Sequence, residues 1–208
     1  MTTSAGLDTK AEVAAMTAAL EARCDPAYEW GMRRTVPSQL PAHATRVPDI
    51  RKVALEWRRA HKGVEPAEVL ALCDALWATG WREERIVAIA LIEGSKELLC
   101  AVEWAAQVER WSRDLENWEH VDWLAGVTGW LLIADRTLLA KTKALELSEN
   151  PWQRRLGLVT LIVAFMKGGV LREELAEMAE RRAKDPHPQV RRAVVWARDR
   201  LKKDHLDG

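Results

Sequence analysis

Residues 82–93 read REERIVAIALIE, a charged start followed by an apolar run without two-residue alternation. This pattern favours a buried helix, because a half-buried strand alternates apolar and polar residues. Residues 48–60 behave similarly: a proline and an aspartate suit a first helical turn, and Ile50, Val53 and Trp57 fall on one stripe. Both segments therefore predict helices.

Helical patterns of this kind cover most of the chain and are separated by glycines and prolines. We predict ten helices, at residues 8–23, 48–60, 66–78, 82–93, 96–112, 119–133, 137–148, 151–166, 170–183 and 188–203. Residues 35–48, with three prolines, form the one long irregular connection, and strand candidates are absent. The pattern favours an all-α solenoid of stacked antiparallel helical pairs, with an irregular helical bundle as the alternative.

The composition is that of a folded protein: 208 residues, of which 48% are hydrophobic and 30% are charged. We predict a single domain over residues 1–208. No apolar stretch approaches the roughly 18–20 residues of a membrane span. The N-terminus has neither the basic nor the apolar region of a signal peptide, so we expect a cytoplasmic protein with no membrane partner.

Patterns that bind metals or cofactors are absent from the sequence. Cys24, Cys73 and Cys100 form no CxxC pair, so we expect reduced, packed thiols. The five histidines lack metal-ligand spacing, and no phosphate-binding loop, dinucleotide fingerprint, HExxH or GxSxG motif occurs. We therefore predict no metal and no cofactor.

The charges and the tryptophans are unevenly used. Net charge is zero, but residues 31–62 carry 8 basic and 2 acidic groups, and residues 181–208 carry 9 and 4. These blocks are either solvated helix faces or surfaces that bind a polyanion. The chain has 11 Trp against one Tyr and one Phe. Most of these indoles are expected in helix packing, although a surplus also suits a stacking or cation-binding cleft.

The segment ENWEHVDWL (116–124) contains the first candidate site. On a helix, Trp118 and Asp122 share one face because they are four residues apart. Asp122 lies close to the boundary of the apolar side. It is either a functional carboxylate or a member of a structural ion pair, and the spacing alone favours the ion pair.

Two further segments add a cation and an aromatic ring. In LSENPWQRR (147–155), Ser148 or Asn150 caps a helix, and Arg155 either faces the same cleft as Asp122 or is a surface charge. In DPHPQVRRAVVW (185–196), Trp196 shares a helical stripe with an arginine and is alternatively part of the core. Spacing leaves both alternatives open.

Four motifs occur in order: VPDIR (47–51), WEHVD (118–122), SENPWQRR (148–155) and AVVW (193–196). Together they resemble those of the AlkD-like DNA alkylation-repair glycosylases, over about residues 25–200. The resemblance implies a right-handed superhelix of HEAT-like antiparallel helical pairs. It also implies removal of N3- and N7-alkylated purines from double-stranded DNA, by base excision and without a cofactor.

By the same resemblance, Asp122 is the catalytic carboxylate, and Trp118 and Trp196 are the aromatic walls of the cleft. Arg155 contacts the DNA backbone near the lesion. We assign further backbone contacts to Arg51, Arg154, Arg191 and Arg192. We expect a monomer that is nucleoid-associated when bound to DNA. The alternatives are a catalytically idle DNA-binding relative and a helical-repeat protein scaffold.

Overall fold

The computed structural model describes residues 6–94, 101–168 and 170–204. Within these residues the protein is all-helical, as predicted, with no strand and one short 3-10 turn at Leu145–Leu147. The eleven α-helices are α1 (Thr9–Glu21), α2 (Pro26–Thr35), α3 (Val47–Ala60), α4 (Pro66–Ala78), α5 (Arg82–Glu93), α6 (Ala101–Ser112), α7 (Trp118–Ala134), α8 (Leu138–Ala144), α9 (Pro151–Gly168), α10 (Arg172–Arg181) and α11 (Pro188–Asp204). In this part of the chain no helix is long and apolar enough to cross a membrane.

Helix α2 is the element that the sequence prediction missed. It buries only Met32, so it lacks the apolar stripe on which the other predictions depended. Its start signal is nevertheless present, because the Asp25 side chain accepts a hydrogen bond from the Ala27 amide and Pro26 occupies the first helical position. The predicted helix 96–112 corresponds to α6, and its first residues, 96–100, lie outside the described residues.

Contacts divide the chain into two compact units, Met1–Leu98 and Leu99–Gly208. The prediction of a single domain stays a prediction.

In the first unit, α5 packs against α3 and α4 and is buried along nearly its whole length. Its charged first turn is buried too, because it binds the proline-rich segment that precedes α3. Arg82 Nη1 lies 2.9 Å from a Glu83 carboxylate oxygen, and that carboxylate accepts hydrogen bonds from the amides of His43 and Thr45. These contacts satisfy buried charges that would otherwise be costly.

In the second unit, α9 is the central helix and packs against α7, α8, α10 and α11. Two glycines allow close packing around it. A Cβ atom at Gly129 of α7 would lie 2.8 Å from the Thr160 carbonyl oxygen of α9, and one at Gly157 of α9 would lie 2.9 Å from the Thr142 carbonyl oxygen. The close approach of α7 to α9 fixes the relative positions of the functional side chains on these two helices.

The cysteines agree in part with the sequence prediction. Cys73 is a free, buried thiol, and its burial raises the pKa of the thiol above the ordinary value. Cys24 is also free but is exposed, so the prediction of packing was wrong for this residue. It lies in the turn after α1, where its backbone pairs with Thr45 in an isolated bridge. Cys100 lies outside the described residues.

Candidate active site

Asp122 and Arg155 form a bidentate ion pair between α7 and α9. Arg155 Nε donates to Asp122 Oδ1 at 3.1 Å, and Arg155 Nη2 donates to both carboxylate oxygens at 2.9 Å. The Arg155 side chain is 7% exposed, whereas that of Asp122 is 26% exposed. The carboxylate therefore lies between the buried guanidinium group and solvent.

Two opposing effects set the pKa of Asp122. Burial raises it, while the charge and the hydrogen bonds of Arg155 lower it, and the net shift is upward from the ordinary aspartate value. Burial therefore outweighs the single ion-pair partner. A carboxylate with a raised pKa in a partly dry position is a candidate for a functional group, although structural ion pairs also perturb pKa values.

Helix α7 begins at Trp118. Asp122 follows four residues later, about one helical turn along α7. The Asn117 side chain caps the helix by accepting a hydrogen bond from the His120 amide at 3.0 Å. Trp118 is half-buried. The structure thus places an indole and a carboxylate on the same face of α7, as the four-residue spacing predicts.

Arg155 also connects this pair to α11. Its third nitrogen, Nη1, donates to the Gln189 carbonyl oxygen at 2.8 Å, in the first turn of α11. Trp196 follows Gln189 by seven residues, close to two full turns, so the two positions lie on one side of the helix. Trp196 is half-buried. Sequence reasoning missed Gln189, because its contribution is a backbone carbonyl and carries no residue-type signal.

Arg154 has a different environment from its neighbour Arg155. Its Nε and Nη2 donate to Asp185 at 2.8 and 3.0 Å, and its Nη1 donates to the carbonyl oxygens of Ser148 and Glu149. The Asp185 side chain is fully buried. All three Arg154 nitrogens thus bind within the protein, an arrangement typical of a structural ion pair. The prediction that Arg154 contacts DNA gains no support from this geometry.

The remaining predicted backbone contacts are exposed. Arg51 on α3 lies 3.8 Å from Glu93 across an exposed ion pair. Arg191 donates through Nη1 to the carbonyl oxygens of Asp185 and Pro186, just before α11. Arg192 is exposed one turn before Trp196. Arg51 belongs to the first unit, whereas Arg191 and Arg192 belong to the second unit with Asp122.

The tryptophans are less buried than the sequence suggested. Four are buried: Trp57, Trp77, Trp104 and Trp111. Six are half-buried: Trp81, Trp118, Trp123, Trp130, Trp152 and Trp196. Trp30 is 70% exposed. The prediction that the two cleft residues are partly exposed is confirmed, and the expectation that most of the others are buried is wrong.

No group of three or more metal-binding side chains occurs among the residues that the structure describes. In a comparison with protein families, residues 16–207 match the family described as DNA alkylation repair enzyme. The chain belongs to this family. As a member of this family, the protein is an enzyme that acts on DNA in the repair of alkylation damage. Comparison with curated proteins gives no match.

Proposed function

We propose that the protein is a DNA glycosylase that hydrolyses the N-glycosidic bond of N3- or N7-alkylated purines in double-stranded DNA. The observation that carries this proposal is the partly exposed Asp122 carboxylate, held by two Arg155 nitrogens at 2.9–3.1 Å on the same helix face as Trp118. Membership in the DNA alkylation repair enzymes supports the substrate class.

Hydrolysis of this glycosidic bond mainly requires a negative charge held close to the sugar. A purine alkylated at N3 or N7 is cationic and leaves without a general acid, and breaking its glycosidic bond leaves positive charge on the deoxyribose. The negative charge of the Asp122 carboxylate stabilises that positive charge, and the carboxylate orients the attacking water. Glycoside hydrolases use carboxylates against a similar oxocarbenium ion.

Arg155 has two roles in this proposal, both exerted through Asp122. Its hydrogen bonds fix the orientation of the carboxylate, and its charge counteracts the burial that raises the pKa of Asp122. Since all three guanidinium nitrogens already bind protein atoms, we assign Arg155 as a positioning residue in place of the DNA contact expected from the sequence.

Trp118 and Trp196 are proposed as the walls that hold the cationic nucleotide. An indole face attracts a cation by roughly 0.5–2 kcal/mol, depending on how far water is excluded. Both residues are half-buried, so part of the surface of each is accessible to a ligand. No metal or cofactor takes part in this mechanism.

Family membership and the distribution of charge support a proposal for the overall fold and for the DNA-binding surface. We propose the right-handed superhelix of HEAT-like helical pairs, with DNA backbone contacts from Arg51, Arg191 and Arg192. The proposal includes a monomer that acts in the cytoplasm and associates with the nucleoid through DNA.

A catalytically idle DNA-binding protein is the second candidate, and the Asp122–Arg155 pair favours it because an ion-paired carboxylate can be purely structural. The test is incubation with methylated duplex DNA, followed by chromatography of released bases. Free methylpurine from the wild type supports a glycosylase. DNA binding that weakens steeply with salt, without base release, indicates the idle relative. Absence of both indicates a protein scaffold.

A further inference from the structure

Helix α2 exposes an aromatic ring that the proposed catalytic site does not use. Trp30 is 70% exposed, and the Arg34 guanidinium carbon lies 4.4 Å from the centroid of its ring. The two residues are one turn apart, so the stack is built by the helix itself. The opposite side of α2 is anchored by Met32, which is buried.

The neighbouring cations are engaged with acidic groups, and Arg34 is the exception. Around α2, three arginines form ion pairs: Arg23 with Glu56, Arg33 with Glu29 and Arg46 with Asp25. Within the described part of the chain, no carboxylate lies within ion-pairing distance of Arg34, and its guanidinium group stacks on the Trp30 ring. The pair therefore presents one unneutralised positive charge beside a large apolar surface.

This combination matches the sugar-phosphate backbone of a nucleic acid. An arginine that stacks on an aromatic ring keeps its N–H groups at the edge, where a phosphate accepts two parallel hydrogen bonds. The space beside Gly31 is open, since only its two chain neighbours and the backbone of its own helix come within 4 Å of the position a Cβ would take. An indole next to such space can pack on the deoxyribose that adjoins the bound phosphate.

We propose that Trp30 and Arg34 form a backbone contact for DNA, in which Arg34 binds a phosphate and Trp30 packs on the adjoining sugar. The contact rests on the DNA substrate of the proposed function and is independent of the chemistry at Asp122. It adds a DNA-binding surface in the first unit, on a helix that carries none of the four predicted motifs.

The test is the affinity of the full-length chain for a fluorescently labelled, undamaged duplex, measured by anisotropy over a series of salt concentrations. Arg34→Ala should reduce the slope of log affinity against log salt by about one, because one phosphate contact is lost. Trp30→Ala should weaken binding about 3- to 10-fold with little change in slope. Trp30→Phe should retain most of the affinity.

Two control variants remove comparable groups elsewhere. Arg136→Ala removes an exposed arginine after α7, and Leu147→Ala removes a side chain of a residue that is 81% exposed. Both should bind DNA as the wild type does. Circular dichroism and light scattering confirm that each variant keeps its helix content and its state of association.

Each outcome supports or overturns the inference. Wild-type binding that neither Trp30→Ala nor Arg34→Ala alters overturns it and leaves the proposed glycosylase intact. A change in self-association instead of DNA affinity also overturns it, because the surface is then a protein contact. A binding loss as described, in a wild type that releases no methylpurine, supports this contact while the glycosylase proposal fails.

Discussion

Replacing Arg155 with Gln tests whether this residue acts through Asp122. The substitution removes three charge-assisted hydrogen bonds to the carboxylate and the bond to the Gln189 carbonyl oxygen. Loss of one partner from a fully buried pair costs about 3–5 kcal/mol. Because the Asp122 side chain is 26% exposed and can rehydrate, we expect a loss of about 2–3 kcal/mol in the free energy of unfolding, measured with urea.

The same substitution should shift the pH dependence of base release. Burial raises the pKa of Asp122 and Arg155 opposes that rise, so without Arg155 the pKa rises further. The proposed mechanism uses the ionised carboxylate, and activity is lost as the pH falls below its pKa. The acid limb of single-turnover base release should therefore move to higher pH in Arg155→Gln than in the wild type.

Arg154→Gln is the matched control, because Arg154 is the adjacent residue of α9 and also forms a bidentate pair with a carboxylate, that of Asp185. It should destabilise the fold but leave the acid limb where the wild type has it. Identical acid limbs in the wild type and both folded variants would refute the coupling between Arg155 and Asp122. If the acid limb shifts in both variants, the shift results from a general loss of packing in the second unit and not from the Arg155–Asp122 contact.

Further substitutions separate function from packing. Trp118→Ala should reduce base release about 10-fold with little loss of stability. Trp104 is 1% exposed, so Trp104→Ala should lower the free energy of unfolding by about 3–5 kcal/mol. Equal melting temperatures of the two variants would contradict this difference. Gly129→Ala should destabilise by about 1–3 kcal/mol in urea, because its methyl group would lie 2.8 Å from atoms of α9; unchanged stability would mean that the helices separate freely. Burial raises the pKa of Asp185, but the hydrogen bonds from Arg154 and the His187 amide and the charges of Arg154 and Arg182 together outweigh it, so the net pKa is lowered. The stability that Asp185→Asn removes should be largest above about pH 4 and shrink as the pH falls further; a pH-independent difference would contradict that shift.

Much of the helical architecture could be predicted from local patterns. Nine of the ten predicted helices begin and end within a few residues of the observed ones, and glycines or prolines mark many of these boundaries. The missed helix, α2, shows the limit of the method. It has a proline start but buries a single side chain, so hydrophobic periodicity carried no signal for it.

The candidate site could be predicted only in part. Spacing on one helix placed Trp118 and Asp122 together, since four residues make one turn. The distinction between Arg154 and Arg155 could not be made from sequence. Adjacent residues of α9 point about 100° apart, so one guanidinium pairs with Asp185 and the other with Asp122. Which carboxylate each arginine binds therefore depends on which helices pack on each side of α9.

The most direct test of the central claim is single-turnover release of methylpurine from methylated duplex DNA, by the wild type and by Asp122→Asn. The substitution keeps the size of the side chain and removes its negative charge. If the carboxylate stabilises the sugar cation, base release should fall by roughly 10²-fold or more, while the variant still folds and binds DNA. An Asp122→Asn variant that melts as the wild type does and releases methylpurine at the wild-type rate would contradict the account.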